Sequence, residues 1–356
     1  MNKFLIHLVI IFYFIFPKID VFFIPGSVTG LRVSDFITLI MFLSVFNDLI
    51  KFRFSFKNCF VLSIICILSI ISSIINGFFI NGILELIRIF QYFVVAYFLY
   101  LNYKIAIFSL IYVLLISLFV SLLQYYLVIP NYNPGRGIIY SREFSGLFPT
   151  PSEFSYFTAM LFVIYVKSFG FNSKLITFIL VTLNGVKAII PIFLVPFIKI
   201  NFNFFISFFI FISFIIYNFG SDLYEFYLIF FDIVGNDFTH ASLKSTSYSD
   251  FDERSLGDRV YKWAGALSLT LSDPFFIISG FGSYAGGGAM DGGLIRLFFE
   301  FGLLGFIFTL VYMFRISFPL LILFIFTNTF YDGYVSSTVM PLFLFLLLLM
   351  RSKIVS

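Results

Sequence analysis

The feature that most constrains this chain is a series of long apolar stretches that recurs along nearly its whole length. Many run for about 18 residues with few charged side chains, which is close to the length that a helix needs to cross a bilayer. A helix also satisfies its backbone hydrogen bonds internally, as the hydrocarbon of a membrane requires. The pattern therefore predicts a polytopic membrane protein built from transmembrane helices.

The composition supports a lipid environment and excludes some partners. Hydrophobic residues make up 61% of the chain, charged residues only 11%, and the mean hydropathy is +1.06. Soluble domains carry about 25% charged residues, so this chain in water would have to expose much of its Phe and Ile. The net charge of +4 is spread along the chain with no basic run, which gives no indication of a nucleic-acid partner.

The apolar stretches define about twelve spans. They lie near 4–23, 35–50, 59–76, 83–102, 106–128, 153–168, 175–186, 187–198, 203–219, 293–314, 316–331 and 337–350. The pair around Val186 is short for two crossings, and 175–198 as one long broken helix is the alternative. The sequence thus predicts one all-α membrane domain over residues 1–356.

The basic residues of the short loops predict the orientation of the chain. With the N-terminus in the cytoplasm, most of them fall inside, as the positive-inside rule expects. These residues are Lys3, Lys51, Arg53, Lys57, Lys104, Lys167, Lys174, Lys199, Arg315, Arg351 and Lys353. This agreement favours two crossings over 175–198, because a single crossing would place Lys199 outside. Both termini are then cytoplasmic.

Two segments are external on this topology. One is 129–152, and the other is 220–292, the only long polar segment of the chain. Long loops in compact proteins are usually functional or disordered. The amphipathic stretch from Arg259 to Leu271 indicates that the larger loop is partly ordered.

Several basic residues occur on the external side, where the rule predicts few. They are Arg136, Arg142, Lys187, Arg254, Arg259, Lys262 and Arg296. Long translocated loops tolerate basic residues, which is one interpretation. The other is a basic cavity for an anion such as phosphate or pyrophosphate, since a guanidinium group binds two phosphate oxygens at once. The second interpretation is stronger for Arg142 and Lys187, which lie near span ends.

Ionisable residues inside spans are costly and indicate either function or pairing. Glu85 and Arg88 lie at i, i+3 in the fourth span, and an intrahelical ion pair is the alternative to a functional role. Arg296 and Glu300 have i, i+4 spacing, which predicts a structural pair. The two histidines, His7 and His240, and the scattered carboxylates form no pattern typical of a metal site.

Three external segments carry sparse motifs. The first reads R-E-F-S-G-L-F-P-T-P-S-E-F from Arg142. The second reads G-D-R-V-Y-K-W from Gly257, followed by Asp273-Pro274 and G-F-G at 280–282. The third reads D-G-G-L-I-R-L-F-F-E-F-G-L-L-G from Asp291.

This set resembles the O-antigen polymerase and ligase family of bacterial envelope glycosyltransferases. The first segment is similar to the family's R-x-S-G-x-F, with one extra residue after Arg142. The second resembles G-x-R-x-x-x-W followed by P and G-x-G, and the third resembles the closing E-x-G-L-x-G. A weaker match is N-G-V-K-A from Asn184, where many relatives carry a Ser-Arg pair.

The resemblance implies a GT-C-like membrane glycosyltransferase, of the inverting type, in the bacterial inner membrane. It would act on the periplasmic side on oligosaccharides carried by undecaprenyl pyrophosphate, without a metal or other cofactor. A flippase and a chain-length regulator would be its partners. Residues Arg142, Arg259 and Lys187 would hold the pyrophosphate. Lys187 keeps the charge of the family's arginine but loses its planar fork.

Within the family, the sequence favours a polymerase over a ligase. Ligases carry a histidine near the start of the third segment, where this chain has Asp291. Polymerisation needs a base for the acceptor hydroxyl, and the candidates are Glu153, Asp291 and, as a weaker one, Glu143. Each has a structural alternative: Glu153 complements a helix dipole in a first helical turn, and Asp291 caps a loop.

Two functions of other classes stay open. A flippase for lipid-linked oligosaccharides is one, although such transporters usually have short loops and a repeat between their halves. A non-catalytic scaffold for envelope assembly is the other. Trp263 and Tyr261 either stack on a sugar or, as we favour, anchor the loop at the membrane interface. The Gly-rich stretch 279–293 follows no strand, so it does not indicate a dinucleotide site; it is a tight loop or an anion-binding nest.

Overall fold

A computed structural model describes most of the N-terminal half of the chain and part of the C-terminal half. The described residues are 2–16, 20–23, 30–51, 56–133, 137–139, 145–148, 151–169, 254–283, 292–329 and 336–351. The predicted spans 175–186, 187–198 and 203–219 lie outside them, as do Arg142, Glu143, Lys187 and Asp291.

Helices dominate the described residues, and we number them in chain order. They are α1 (Lys3–Ile15), α2 (Val33–Lys51), α3 (Phe56–Ile75), α4 (Phe79–Leu101), α5 (Tyr103–Tyr125), α6 (Pro151–Phe169), α7 (Arg254–Leu271), α8 (Pro274–Ser279), α9 (Gly293–Ile316), α10 (Phe318–Thr329) and α11 (Val339–Arg351). Two short antiparallel hairpins join them: β1 (Asp20–Phe23) with β2 (Gly30–Arg32), and β3 (Asn131–Asn133) with β4 (Gly137–Ile139).

Four of the described helices are long and apolar enough to cross a membrane, namely α2, α4, α5 and α9. Shorter apolar helices include α1 and α11. The outward faces stay apolar, since Ile50 is 69% exposed and Leu43 67%. Such side chains on the surface of a helical bundle fit a lipid solvent. The described part is therefore mostly helical and compatible with a helical membrane protein, as the sequence predicts.

The first predicted span, 4–23, is longer than the helix that the structure shows. Helix α1 ends at Ile15, and Phe16 is already extended with φ −64° and ψ 132°. The following residue is Pro17, whose ring disfavours a helical conformation for the residue before it. The rest of the predicted span includes strand β1, so the helical part of this span is shorter than predicted, while the described residues as a whole stay mostly helical.

Contacts between helix ends show which helices run in the same direction. His7 Nδ1 of α1 lies 2.8 Å from Ser109 Oγ of α5, and each residue is near the start of its helix. The ring of Phe169, the last residue of α6, lies 6.1 Å from that of Phe108 near the start of α5. Helices α1 and α5 therefore begin, and α6 ends, at one end of the bundle.

Helix α11 runs parallel to α6 and antiparallel to α1. The hydroxyl of Tyr13, near the end of α1, donates to the carbonyl of Ser337, just before α11, over 2.9 Å. Arg315 in the last turn of α9 and Arg351 at the end of α11 line one groove. One end of the described bundle thus carries Lys3, Lys104, Lys167, Arg315 and Arg351, and we call it the basic end.

An apolar core lies between the helices. It holds them together and so fixes their other ends, opposite the basic end. Ile10, Leu99, Leu110, Phe157 and Leu342 come from five different helices and are all 0% exposed. Burial of one such side chain stabilises a fold by about 1.5–3 kcal/mol when the reference state is aqueous. In lipid this gain is smaller, so van der Waals packing and polar contacts contribute more of the free energy that holds the helices together.

Candidate functional site

A buried group of three charged side chains lies toward the end opposite the basic end. The guanidinium Nε of Arg296, in the first turn of α9, donates to Glu300 Oε1 over 2.9 Å. Its Nη2 donates to Glu85 Oε1 of α4 over 3.3 Å. Arg296, Glu85 and Glu300 are 4%, 8% and 0% exposed. The i, i+4 pair is thus confirmed, and Glu85 reaches a second helix.

A backbone crossing lies directly beside these charges. The N–H of Phe281 donates to the carbonyl of Phe299 over 2.7 Å, and that of Gly282 to the carbonyl of Glu300 over 3.1 Å. Helix α9 breaks here, because Gly302 has φ 62° and ψ −169°, a conformation that is essentially restricted to glycine. A Cβ on Gly302 would overlap the backbone of Ile278 and Gly280. The backbone after α8 can therefore contact the backbone of α9 directly, because Gly280 and Gly302 have no side chains at this point.

Serine side chains of α3 fix the same segment from the other side. Ser69 Oγ accepts from the N–H of Ser283 over 2.8 Å, and Ser72 Oγ donates to Ser279 Oγ over 3.2 Å. Asn76 Nδ2 donates to the carbonyl of Phe281 over 3.0 Å. Polar contacts between helices replace the hydrophobic driving force that lipid lacks. We call this region, comprising the three charged residues, the crossing and the α3 side chains, the polar centre.

Helix α7 lies against the start of α9. The indole of Trp263 packs so closely on Gly292 that a Cβ there would overlap the ring. Trp263 is 9% exposed, so it is part of the interior and not the interfacial anchor that the sequence favoured. Arg259 lies one turn earlier on α7.

The first external motif is fixed at the same end by an amide side chain. Gln124 Nε2, at the end of α5, donates to the carbonyl of Gly146 over 2.9 Å, and Gln124 Oε1 accepts from the N–H of Gly146 over 2.9 Å. Gly146 has φ +62°, and a Cβ on it would overlap the carbonyl of Ser117. Phe148 is 3% exposed and packs against Phe154 with ring centroids 5.2 Å apart.

Glu153 lies next to this motif, in the first turn of α6. It is 8% exposed, and Ser336 Oγ donates to its Oε1 over 3.2 Å. Ser336 also accepts from the N–H of Val339 over 3.1 Å and so caps α11. A carboxylate buried at a helix N-terminus interacts favourably with the helix dipole. The predicted first-turn position is therefore present, and the contact with Ser336 is an addition that the sequence did not indicate.

Two tyrosines connect Glu153 electrostatically with the polar centre. Tyr13 interacts with Glu153, Asp35 and Arg32, and it also interacts with Tyr92. Tyr92 in turn interacts with Glu85, Arg88, Arg32 and Asp35. Charged groups of both signs from α2, α4, α6 and α9 therefore lie toward one end of the described bundle.

The outcome for the predicted site residues is mixed. Glu153 is buried and hydrogen-bonded, as described above, and Arg259 lies on α7, whose helix confirms the predicted amphipathic stretch. The other three, Arg142, Lys187 and Asp291, lie outside the described residues. The described residues include no group of three or more His, Cys, Asp or Glu side chains that could hold a metal ion. That the reaction needs no metal stays a prediction.

Sequence reasoning missed several residues of the polar centre. The serines of α3, Gln124 and Tyr92 resemble ordinary polar positions in apolar helices. A signal was present, because serines at 69, 72, 73 and asparagine at 76 share one face of α3 at helical spacing. No protein-family model, curated protein or solved structure matches this chain significantly.

Proposed function

We propose that this chain is a membrane glycosyltransferase that polymerises lipid-linked oligosaccharide repeat units into a surface polysaccharide such as O-antigen. It transfers the growing glycan from undecaprenyl pyrophosphate to the terminal sugar of the next lipid-linked unit. The reaction takes place on the periplasmic side of the bacterial inner membrane. The resemblance of three segments to the O-antigen polymerase and ligase family is the starting point.

The observation that supports this proposal best is the meeting of two of those segments. Gly280 and Gly282 of the second pack on Glu300 and Gly302 of the third, beside the buried Arg296. The Ser145–Phe148 part of the first segment packs at the same end of the bundle. A shared position at one end of the bundle is what a single site formed by the three segments requires.

The distribution of charge supports a periplasmic reaction. The basic end carries the exposed Lys104, Lys167 and Arg315, and the positive-inside rule assigns such an end to the cytoplasm. The polar centre lies at the other end. Lipid-linked repeat units that have crossed the membrane would meet it there.

The proposed chemistry divides between cations and a base. Arg259, Arg142 and Lys187 stabilise the negative charge that develops on the departing pyrophosphate, and the effect is strong because water is largely excluded. Glu153 or Asp291 takes the proton of the acceptor hydroxyl as this oxygen attacks the anomeric carbon. For Glu153, the hydroxyl of Ser336 orients the carboxylate over 3.2 Å.

The first experiment is complementation of a deletion strain. Wild type should restore a ladder of long glycans, and Arg259→Ala should leave a single repeat unit on the acceptor at an unchanged protein level. Lys262→Ala is the matched control, since it removes one positive charge from the same helix. A full ladder with Arg259→Ala would contradict the role of this residue.

The deletion strain also separates the alternative functions. Long lipid-linked polymer that never reaches its final acceptor would identify a ligase. Lipid-linked units confined to the inner leaflet would identify a flippase. This alternative is tested because buried charges in membrane helices often mark a substrate pathway. Either result would reject the polymerase proposal.

A second experiment examines the base. Glu153→Gln keeps a hydrogen-bond acceptor for Ser336 but has no basic carboxylate, so polymerisation should be lost while the protein stays folded. Ser336→Ala is the control, because it removes the contact and the cap of α11 but not the carboxylate. If Glu153→Gln polymerises normally, Asp291 becomes the leading candidate, with Glu143 as the weaker one.

A further inference from the structure

A long groove runs along the outside of the bundle, from Ile278 and Leu303 near the crossing to Arg315 and Arg351 at the basic end. It has a volume of about 570 Å³, within the range of about 300–1,000 Å³ that is typical of ligand pockets. Its wall is formed mainly by α9, with contributions from α3 and α8. None of the described residues that line it is acidic.

The two ends of the groove differ in chemistry. The part away from the basic end is apolar and includes Leu303, Ile307 and Val311 on α9. Its other end holds Arg315 and Arg351, the cations near the ends of α9 and α11. From Leu303 to Arg315 the groove follows α9 for about 18 Å, which is close to the thickness of one leaflet.

The geometry points to a binding site for one phospholipid with an anionic headgroup. The acyl chain lies on the apolar side chains of α9, and the phosphate accepts hydrogen bonds from Arg315 and Arg351. Guanidinium groups suit this contact because their planar donors match phosphate oxygens in pairs. A zwitterionic headgroup would bring a positive charge to the same two cations and bind more weakly.

The position of the cations excludes the lipid of the proposed reaction. They lie at the opposite end of α9 from Arg296 and the polar centre, so a headgroup there belongs to the other leaflet. The site therefore does not depend on the proposed function. Anionic lipid in this groove would brace α3, α9 and α11 against one another, which links membrane composition to the stability of the fold.

The test uses the full-length protein purified in a mild detergent. Phosphatidylglycerol is titrated while the melting temperature and the bound lipid are followed, the latter by native mass spectrometry. Phosphatidylcholine with the same acyl chains and free glycerol phosphate are parallel ligands. We expect saturable binding of phosphatidylglycerol only. Equal stabilisation by free glycerol phosphate would overturn the lipid assignment, and equal binding of phosphatidylcholine would overturn the role of charge.

Variants then locate the headgroup. Arg315→Gln and Arg351→Gln should each weaken binding about fivefold, as expected for one cation near an anionic lipid. Lys104→Gln and Lys167→Gln are matched controls, because both are exposed at the basic end and neither lines the groove. An equal loss in these controls would show general surface attraction and overturn the site. Arg315→Lys keeps the positive charge and should retain binding. Retained binding would show that Arg315→Gln weakens binding through loss of charge and not through misfolding.

A photoreactive amino acid at Ile307 examines what covers the apolar part. In native membranes it should crosslink to phospholipid, and added phosphatidylglycerol should increase the yield. A crosslink to another segment of this chain would show that protein fills the groove, and the proposal would then fail. This readout is independent of glycan synthesis.

Discussion

The guanidinium of Arg296 lies 3.3 Å from the carboxylate of Glu85, a residue 211 positions earlier in the chain. The same guanidinium binds Glu300 of its own helix over 2.9 Å. One cation thus joins α4 to α9 where both are buried. The charged residues of the polar centre therefore also hold two helices of the fold together.

Replacement of Arg296 should destabilise the protein far more than replacement of Glu85. Arg296→Met leaves two carboxylates facing each other in the interior, at an expected cost of about 3–5 kcal/mol. Glu85→Gln leaves the Arg296–Glu300 pair intact and keeps a polar partner, so we expect a cost of about 1–2 kcal/mol. Unfolding in detergent, followed by circular dichroism, compares them. Equal losses would mean that Arg296 does not hold the two helices together.

Gly302 should tolerate no side chain. In Gly302→Ala the new Cβ meets the backbone of Ile278 and Gly280, and the φ of 62° is itself unfavourable. Gly77→Ala is the matched control, because Gly77 has φ +77° but no atom of the described part of the chain lies within 4 Å of a Cβ there. We expect a loss of about 1 kcal/mol for the control and several-fold more for Gly302→Ala. Thermal melting of both variants measures the difference, and similar values would argue against the tight crossing.

Gln124 should control the position of the first motif. Gln124→Leu leaves the N–H and carbonyl of Gly146 without their partner, at about 1–3 kcal/mol for each buried group. Ser121→Ala is the control, since the buried Ser121 Oγ has no hydrogen-bond partner among the described residues. Under the proposed function, Gln124→Leu should shorten the glycan ladder while Ser121→Ala leaves it unchanged. Limited proteolysis between α5 and α6 would report the release of this motif directly.

The parts of the fold that depend on local sequence were predictable. Apolar length indicated most of the helices, and the i, i+4 spacing indicated the pair of Arg296 with Glu300, because both signals repeat within a few turns. The contact of Glu85 with Arg296 depends on how two distant helices pack, and spacing along the chain carries no information on this. The contact of Gly280 with Gly302 also depends on tertiary packing, so spacing along the chain does not predict it.

Local sequence signals also failed where the same residue types suit two structures, such as a strand or a helix, or a buried or an interfacial position. The run Val21-Phe22-Phe23 is as apolar as a span, and the end of α1 is indicated by Pro17 before it. Trp263 fits an interfacial anchor by residue type, yet the small Gly292 opposite it makes a buried position possible. For Glu153 the sequence predicted the first-turn position, but not Ser336, its partner across the bundle.

The orientation of the bundle can be tested on a single helix. Lys104 and Tyr126 are exposed at opposite ends of α5, which has 23 residues and spans about 35 Å. With Cys59 and Cys66 replaced by serine, an impermeant maleimide on spheroplasts should label Tyr126→Cys at once. It should label Lys104→Cys only after permeabilisation, since the positive-inside rule predicts that the basic end faces the cytoplasm. The reverse result would put the polar centre in the cytoplasm, and a periplasmic polymerase would then be ruled out whatever the fate of the lipid site.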